Sequence, residues 1–140
     1  TECPSFNNIT HELNELPPVL AGGEFHQVWE VTSLSPEQVA ANQAANAQRI
    51  QSEIVSATQK RLDDFARTRN YDGILSPCTY ATRAVPKFQT DGQYGVTCRD
   101  ATWAALYQVM AEVEAGNLPM PTGYADIEPD LPALVWPPVT

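Results

Sequence analysis

From Glu37 to Arg69 the chain contains neither glycine nor proline, and this uninterrupted stretch constrains the fold more than any other feature. Residues 35–69, SPEQVAANQAANAQRIQSEIVSATQKRLDDFARTR, read as one helix. Ser35 is a good N-cap, Gln38 completes a capping box with it, and Pro36 sits at the first helical position, where its missing N–H costs nothing. Leu34 can staple onto Val39. At 1.5 Å per residue such a helix spans about 50 Å. Its halves differ in chemistry. Up to Ala47 the side chains are mostly Ala, Asn and Gln, with Val39 the only large aliphatic, so this half has little apolar area to bury. Beyond it Ile50, Ile54, Ala57, Leu62 and Phe65 form one apolar stripe that belongs in a core. Arg67 and Arg69 suit the negative end of the helix dipole, and Asn70 suits a left-handed cap. The thin outer half calls for a partner or for neighbouring copies of the same chain.

The 140 residues bound the molecule to one domain, or a small domain with an arm: 1–34 as an N-terminal arm and hairpin, 35–140 as a helical domain with a Pro-rich tail. A net charge of −9 disfavours nucleic acid and anionic membrane as partners. No segment is apolar for long enough to cross a bilayer and no secretory signal pattern opens the chain, so a soluble protein made in a cytoplasm is expected. Cys3, Cys78 and Cys98 are too few and too scattered for a disulfide framework. Buried free thiols are the expectation, with a Cys78–Cys98 pair as the alternative.

Residues 1–20 carry no sustained period and read as an irregular arm. After Gly22-Gly23, EFHQVWEV alternates and is the best strand, with Phe25, Gln27, Trp29 and Val31 on one face. Its expected partner is the run around Leu16 to Leu20, an edge-type pairing that tolerates Pro17 and Pro18. A lone ribbon of two strands is marginal in water and needs a neighbour. Asp72 is a candidate cap for a short helix with Ile74, Leu75 and Cys78 inward. Residues 87–95 read as a loop with Asp91-Gly92 at its tip. Residues 98–115 give a second helix, with Trp103, Leu106, Tyr107, Met110 and Val113 at helical spacing and Gly116 as its stop. The two helices are expected to lie antiparallel. The fold class is therefore mainly α: a helical hairpin with a small N-terminal β-hairpin and Pro-rich extended ends. Six of the twelve prolines follow Gly116, and the closing LPALVWPPV is apolar enough to require cover.

Nothing in this pattern specifies chemistry. His11 and His26 lack the spacing of a metal motif, and no CxxC, HExxH, GxGxxG or GxxxxGK[ST] occurs. Asp63-Asp64 lies beside Lys60 and Arg67 at helical spacing, so a solvated face is the better reading. No catalytic residue, cofactor or metal ligand is assigned, and the chain is expected not to be an enzyme.

Two stretches carry a resemblance. ELPPVLAGGEFHQVWEVTSLSPEQVAAN (15–42), with its proline pair, VWEV strand and S-P-E-Q helix start, looks like the opening of small tailed-bacteriophage proteins encoded beside tail-fibre genes. RLDDFARTRNYDGILSPCTYATRAVPKFQTDGQYGVTCRDATWAALYQVMAEVEAGNLPMPTGYADIEPDLPALVWP (61–137) is similar to their C-terminal module. Such proteins are called tail-fibre assembly chaperones or tail-associated proteins. The resemblance implies a structural virion protein of the tail that binds the tail fibre or the baseplate, in several copies or as a homo-oligomer. Its alternatives are a transient assembly chaperone and a capsid decoration protein. Phe25, Val28, Trp29, Val39, Leu134 and Trp136 are the expected partner contacts. Phe25, Trp29 and Trp136 are the anchors, the other use of these three being to close the protein's own core.

Overall fold

The computed structural model describes residues 2–138. Two strands lead, β1 (His11–Ala21) and β2 (Glu24–Ser33), followed by the helices α1 (Pro36–Arg67), α2 (Leu75–Cys78) and α3 (Pro86–Glu114). Two short 3₁₀ turns, Tyr124–Asp126 and Glu128–Asp130, interrupt an otherwise extended C-terminal segment. The chain divides into two compact units, residues 1–49 and 50–140, and the division falls inside α1.

In the first unit, β1 and β2 pair antiparallel around Gly22 and Gly23, whose φ values of 62° and 87° are those of a type I′ hairpin turn. The register places Glu15 opposite Trp29 and Leu13 opposite Val31. Pro17 and Pro18 are absorbed by a bulge: β1 advances from Leu16 to Val19 while β2 moves only from Val28 to His26. Gln27 fills the gap, its Nε2 donating to the Leu16 carbonyl at 3.0 Å. The expectation of an irregular arm through residue 20 is thus corrected, because a strand begins at His11. A two-stranded sheet has only edges, and an edge accommodates residues that cannot donate. Ahead of the strand, Asn7 Oδ1 accepts from the Ile9 amide at 2.9 Å, the kind of Asx turn that reverses a chain.

The start of α1 follows its sequence signature. Gln38 N–H donates to Ser35 Oγ at 3.3 Å, and Ser35 N–H donates to Gln38 Oε1 at 3.0 Å, closing the capping box. Its end is a Schellman motif. Asn70 takes φ 64°, its N–H reaches the Arg67 carbonyl, and the Tyr71 N–H reaches back to Ala66. Gly116 ends α3 in the same way, with φ 78° and the Asn117 N–H on the Glu112 carbonyl.

The core lies wholly within the second unit. Ile50, Ile54, Leu106, Ile127 and Leu131 form one buried cluster, and Leu62, Ala66, Ile74 and Cys98 form another. Trp103 packs against both.

The mainly-α helical hairpin expected from the sequence is not what forms. The protein is mixed α and β, about 52% helical with a two-stranded antiparallel sheet at its N-terminus. The strands are 11 and 10 residues long, too large a share of the chain to be an appendage. A helical hairpin also needs a short connection, whereas residues 68–85 intervene here and carry α2. The C-terminal segment adds a further layer, since Ile127 and Leu131 complete the first cluster.

Several local expectations change with it. Residues 87–95 are not a loop: α3 begins at Pro86, and Asp91 and Gly92 are both buried in it. Tyr107 is 68% exposed, and Thr102 takes the inward position with its hydroxyl donating to the Cys98 carbonyl at 2.7 Å. Leu75 is exposed, and no side chain caps α2. The Asp63 carboxylate, rather than Asp72, meets the start of α2, accepting from the Ile74 N–H at 2.9 Å.

Candidate functional site

Between residues 2 and 49 no residue is buried. The hairpin nevertheless carries large apolar side chains on both faces. Side chains alternate along a strand, so the register puts Leu13, Leu20, Phe25, Trp29 and Val31 on one face and Leu16, Val19 and Val28 on the other. Phe25 is 75% exposed, Leu20 60% and Val19 55%. Val28 and Trp29 are half-buried, and the Trp29 indole N–H is enclosed without a partner among the described residues. The first half of α1 presents Val39, also half-buried, and Asn42, whose Nδ2 donates to the Ile9 carbonyl at 3.3 Å. Four of the expected contacts, Phe25, Val28, Trp29 and Val39, therefore lie together in a unit with no interior.

The other two lie elsewhere and are engaged within the second unit. Trp136 stacks on Phe65 with ring centroids 4.5 Å apart and planes 13° from parallel. Its indole N–H donates to Thr68 Oγ1 at 2.9 Å, and the Arg69 guanidinium lies 4.9 Å from its ring centroid. Leu134 packs against the second core cluster. The Pro-rich tail is held along its length: Arg61 donates to the Pro132 carbonyl at 2.8 Å, Arg69 to the Pro137 carbonyl, and the Val135 N–H to Tyr94 Oη at 2.9 Å.

Arg69 is the joint of this arrangement. It pairs with Asp91, which is only 2% exposed and also accepts from Tyr71 Oη at 3.0 Å. Burial, together with that hydrogen bond to a carboxylate, pushes the Tyr71 phenol up to about 12. One buried carboxylate thus ties the end of α1 to the start of α3, and the arginine on it ties both to the tail. The sequence reading missed this residue; the traceable signal was Pro86, a favoured first helical residue followed by no proline until 119.

The cysteines are free. Cys98 is buried as expected, Cys78 is half-buried, and Cys3 is exposed, contrary to expectation. Burial pushes the Cys98 thiol up to about 11, with Cys78 adding to the effect, and burial raises Cys78 as well. Both are held as thiols, which suits packing and not nucleophilic attack. With a thiol reagent at pH 8, Cys3 of the native protein should react at the rate of a free peptide thiol. Cys98 should react only in denaturant, and fast labelling of Cys98 without denaturant would contradict the burial described.

His11 lies opposite Ser33 and His26 opposite Val19, so the register sets the two on opposite faces. Among the described residues, no group of three or more His, Cys, Asp or Glu side chains is placed to hold a metal ion, and no helix is long and apolar enough to cross a membrane. The Asp63-Asp64 pair splits in role. Asp64 lies between Lys60 and Arg67 on the exposed face of α1, and the Lys60 hydrogen bond holds its carboxyl below the usual range. Asp63 is taken by α2. No family model, no curated protein and no solved structure matches the chain.

Proposed function

We propose that this protein is a non-enzymatic structural component of a bacteriophage tail, docking through its N-terminal hairpin on the tail fibre or the baseplate. One observation carries the physical part of this reading. A ribbon with exposed Leu, Val and Phe on both faces, in a unit without a single buried residue, is stable as an ordered element only when another surface covers it. The setting rests on the likeness of residues 15–42 and 61–137 to tail-associated phage proteins. The second unit is the folded body, and the hairpin with Val39 is the contact.

Quantitative mass spectrometry of purified phage particles carrying this protein tests the reading. The expected result is a fixed copy number in stoichiometric ratio to the tail fibre or baseplate protein. Absence from the finished particle would contradict it and leave a transient assembly chaperone. A copy number that follows the head protein would contradict it in favour of a capsid decoration protein.

A further inference from the structure

The two outer edges of the hairpin are not equivalent. On β1 the Pro17-Pro18 bulge removes two backbone donors and breaks the spacing of the ladder, which blunts that edge against another strand. On β2, residues 24–33 contain no proline, lysine or glycine beyond the turn, and the sheet holds no third strand. The Leu34 N–H donates to the Thr10 carbonyl at 2.9 Å, which fixes the phase of the ladder. With the two-residue alternation of an antiparallel pair, the backbone groups of Phe25, Trp29, Val31 and Ser33 then face away from β1. These residues offer donors and acceptors to a further strand.

Charge selects the occupant. Residues 11–33 hold Glu12, Glu15, Glu24 and Glu30 and no lysine or arginine. Glu24 and Glu30 lie on β2 itself, and both are exposed. We infer that the free edge of β2 accepts an extended segment of a partner protein, one that alternates apolar residues with Lys or Arg and adds a third strand to the sheet. Main-chain hydrogen bonds supply the affinity, and the glutamates select for basic side chains. The inference rests on the docking role proposed for the hairpin and specifies the edge used and the chemistry of what it receives.

The test uses the full chain and two synthetic ten-residue peptides, one alternating Val and Lys, the other alternating Val and Glu. Amide hydrogen exchange and titration by NMR should show the Lys peptide binding at least about tenfold more tightly at low salt. New protection is expected at the outward amides of β2 and not on β1. Val31→Pro, which removes an outward donor without touching the β1 ladder, should abolish the protection. The double variant Glu24→Lys/Glu30→Lys leaves the backbone alone and should reverse the preference between peptides. Protection on β1, protection on neither strand, or equal affinity for both peptides would overturn the inference. So would concentration-dependent dimerisation of the chain alone with β2 protected, which would make the occupant a second copy. The two readings fail separately. A protein present in particles whose β2 binds neither peptide retains the tail role and loses this edge. A protein absent from particles whose β2 selects the Lys peptide retains the edge and loses the tail role.

Discussion

Asp91→Ala lowers the stability of the folded body by about 3–5 kcal/mol, the range seen when one member of a buried ion pair is removed. The size follows from what is left behind. The Arg69 guanidinium, with 19% of its side chain exposed, keeps its charge and loses its counter-ion, and Tyr71 Oη loses its acceptor. Removing the carboxylate therefore costs more than the net worth of the pair, because two polar groups stay enclosed without partners. Asp91→Asn should fall between wild type and alanine, since an amide oxygen still accepts from Tyr71 but carries no charge. Urea unfolding followed by tryptophan fluorescence measures both. A loss below about 1 kcal/mol for the alanine variant would show that the Arg69 joint does not hold the unit together.

Gly92→Ala is the second large effect, and here two terms of opposite sign compete. Alanine is favoured over glycine inside a helix by up to about 1 kcal/mol. Against that, a Cβ on Gly92 would lie 2.4 Å from the Ala81 nitrogen and 2.7 Å from both Ala81 Cα and the Pro77 carbonyl oxygen. All three are backbone atoms, so relief requires moving the chain that follows α2 and not merely turning a side chain. Overpacking of this kind costs about 1–3 kcal/mol and occasionally more, and contact with immobile backbone puts the net loss at about 3 kcal/mol. Gly95→Ala, three residues on, is the control. Its new Cβ would meet the Cys78 sulfur and Pro77 Cγ at an ordinary 3.4 Å, so propensity and packing nearly cancel and the change stays within about 1 kcal/mol. Equal effects at the two positions would contradict the close approach of α3 to α2.

These two residues also show where the sequence is opaque. Asp91-Gly92 has the chemistry of a turn, and read locally it ends a helix. In the structure the same pair sits inside α3, the glycine for closeness to α2 and the aspartate for Arg69, which lies 22 positions earlier in the chain. No local pattern encodes a partner at that separation. Pro17-Pro18 misled in a related way, because proline argues against a strand only where its nitrogen must donate, and at a bulge on an edge it need not. Features set by neighbours within about five residues were legible: the Ser35–Gln38 box, the turn at Gly22-Gly23, and the left-handed residues Asn70 and Gly116 that end the long helices. The candidate site was partly legible for the same reason. Alternation in EFHQVWEV marks Phe25, Val28 and Trp29 as one strand with apolar residues on both faces. Trp136 carries no local sign that Phe65, Thr68 and Arg69 already hold it. The strength of the tail's attachment leaves the hairpin as the surface that needs cover.

The account depends on residues 2–49 having no interior of their own, and amide hydrogen exchange on the full chain in isolation tests this most directly. The account predicts that amides along 11–33 exchange through small local openings, orders of magnitude faster than those of 50–66 and 94–110, which should open only with global unfolding. Hairpin amides as slow as those around Leu62 and Leu106 would show that the ribbon is stabilised without a partner, and would contradict it.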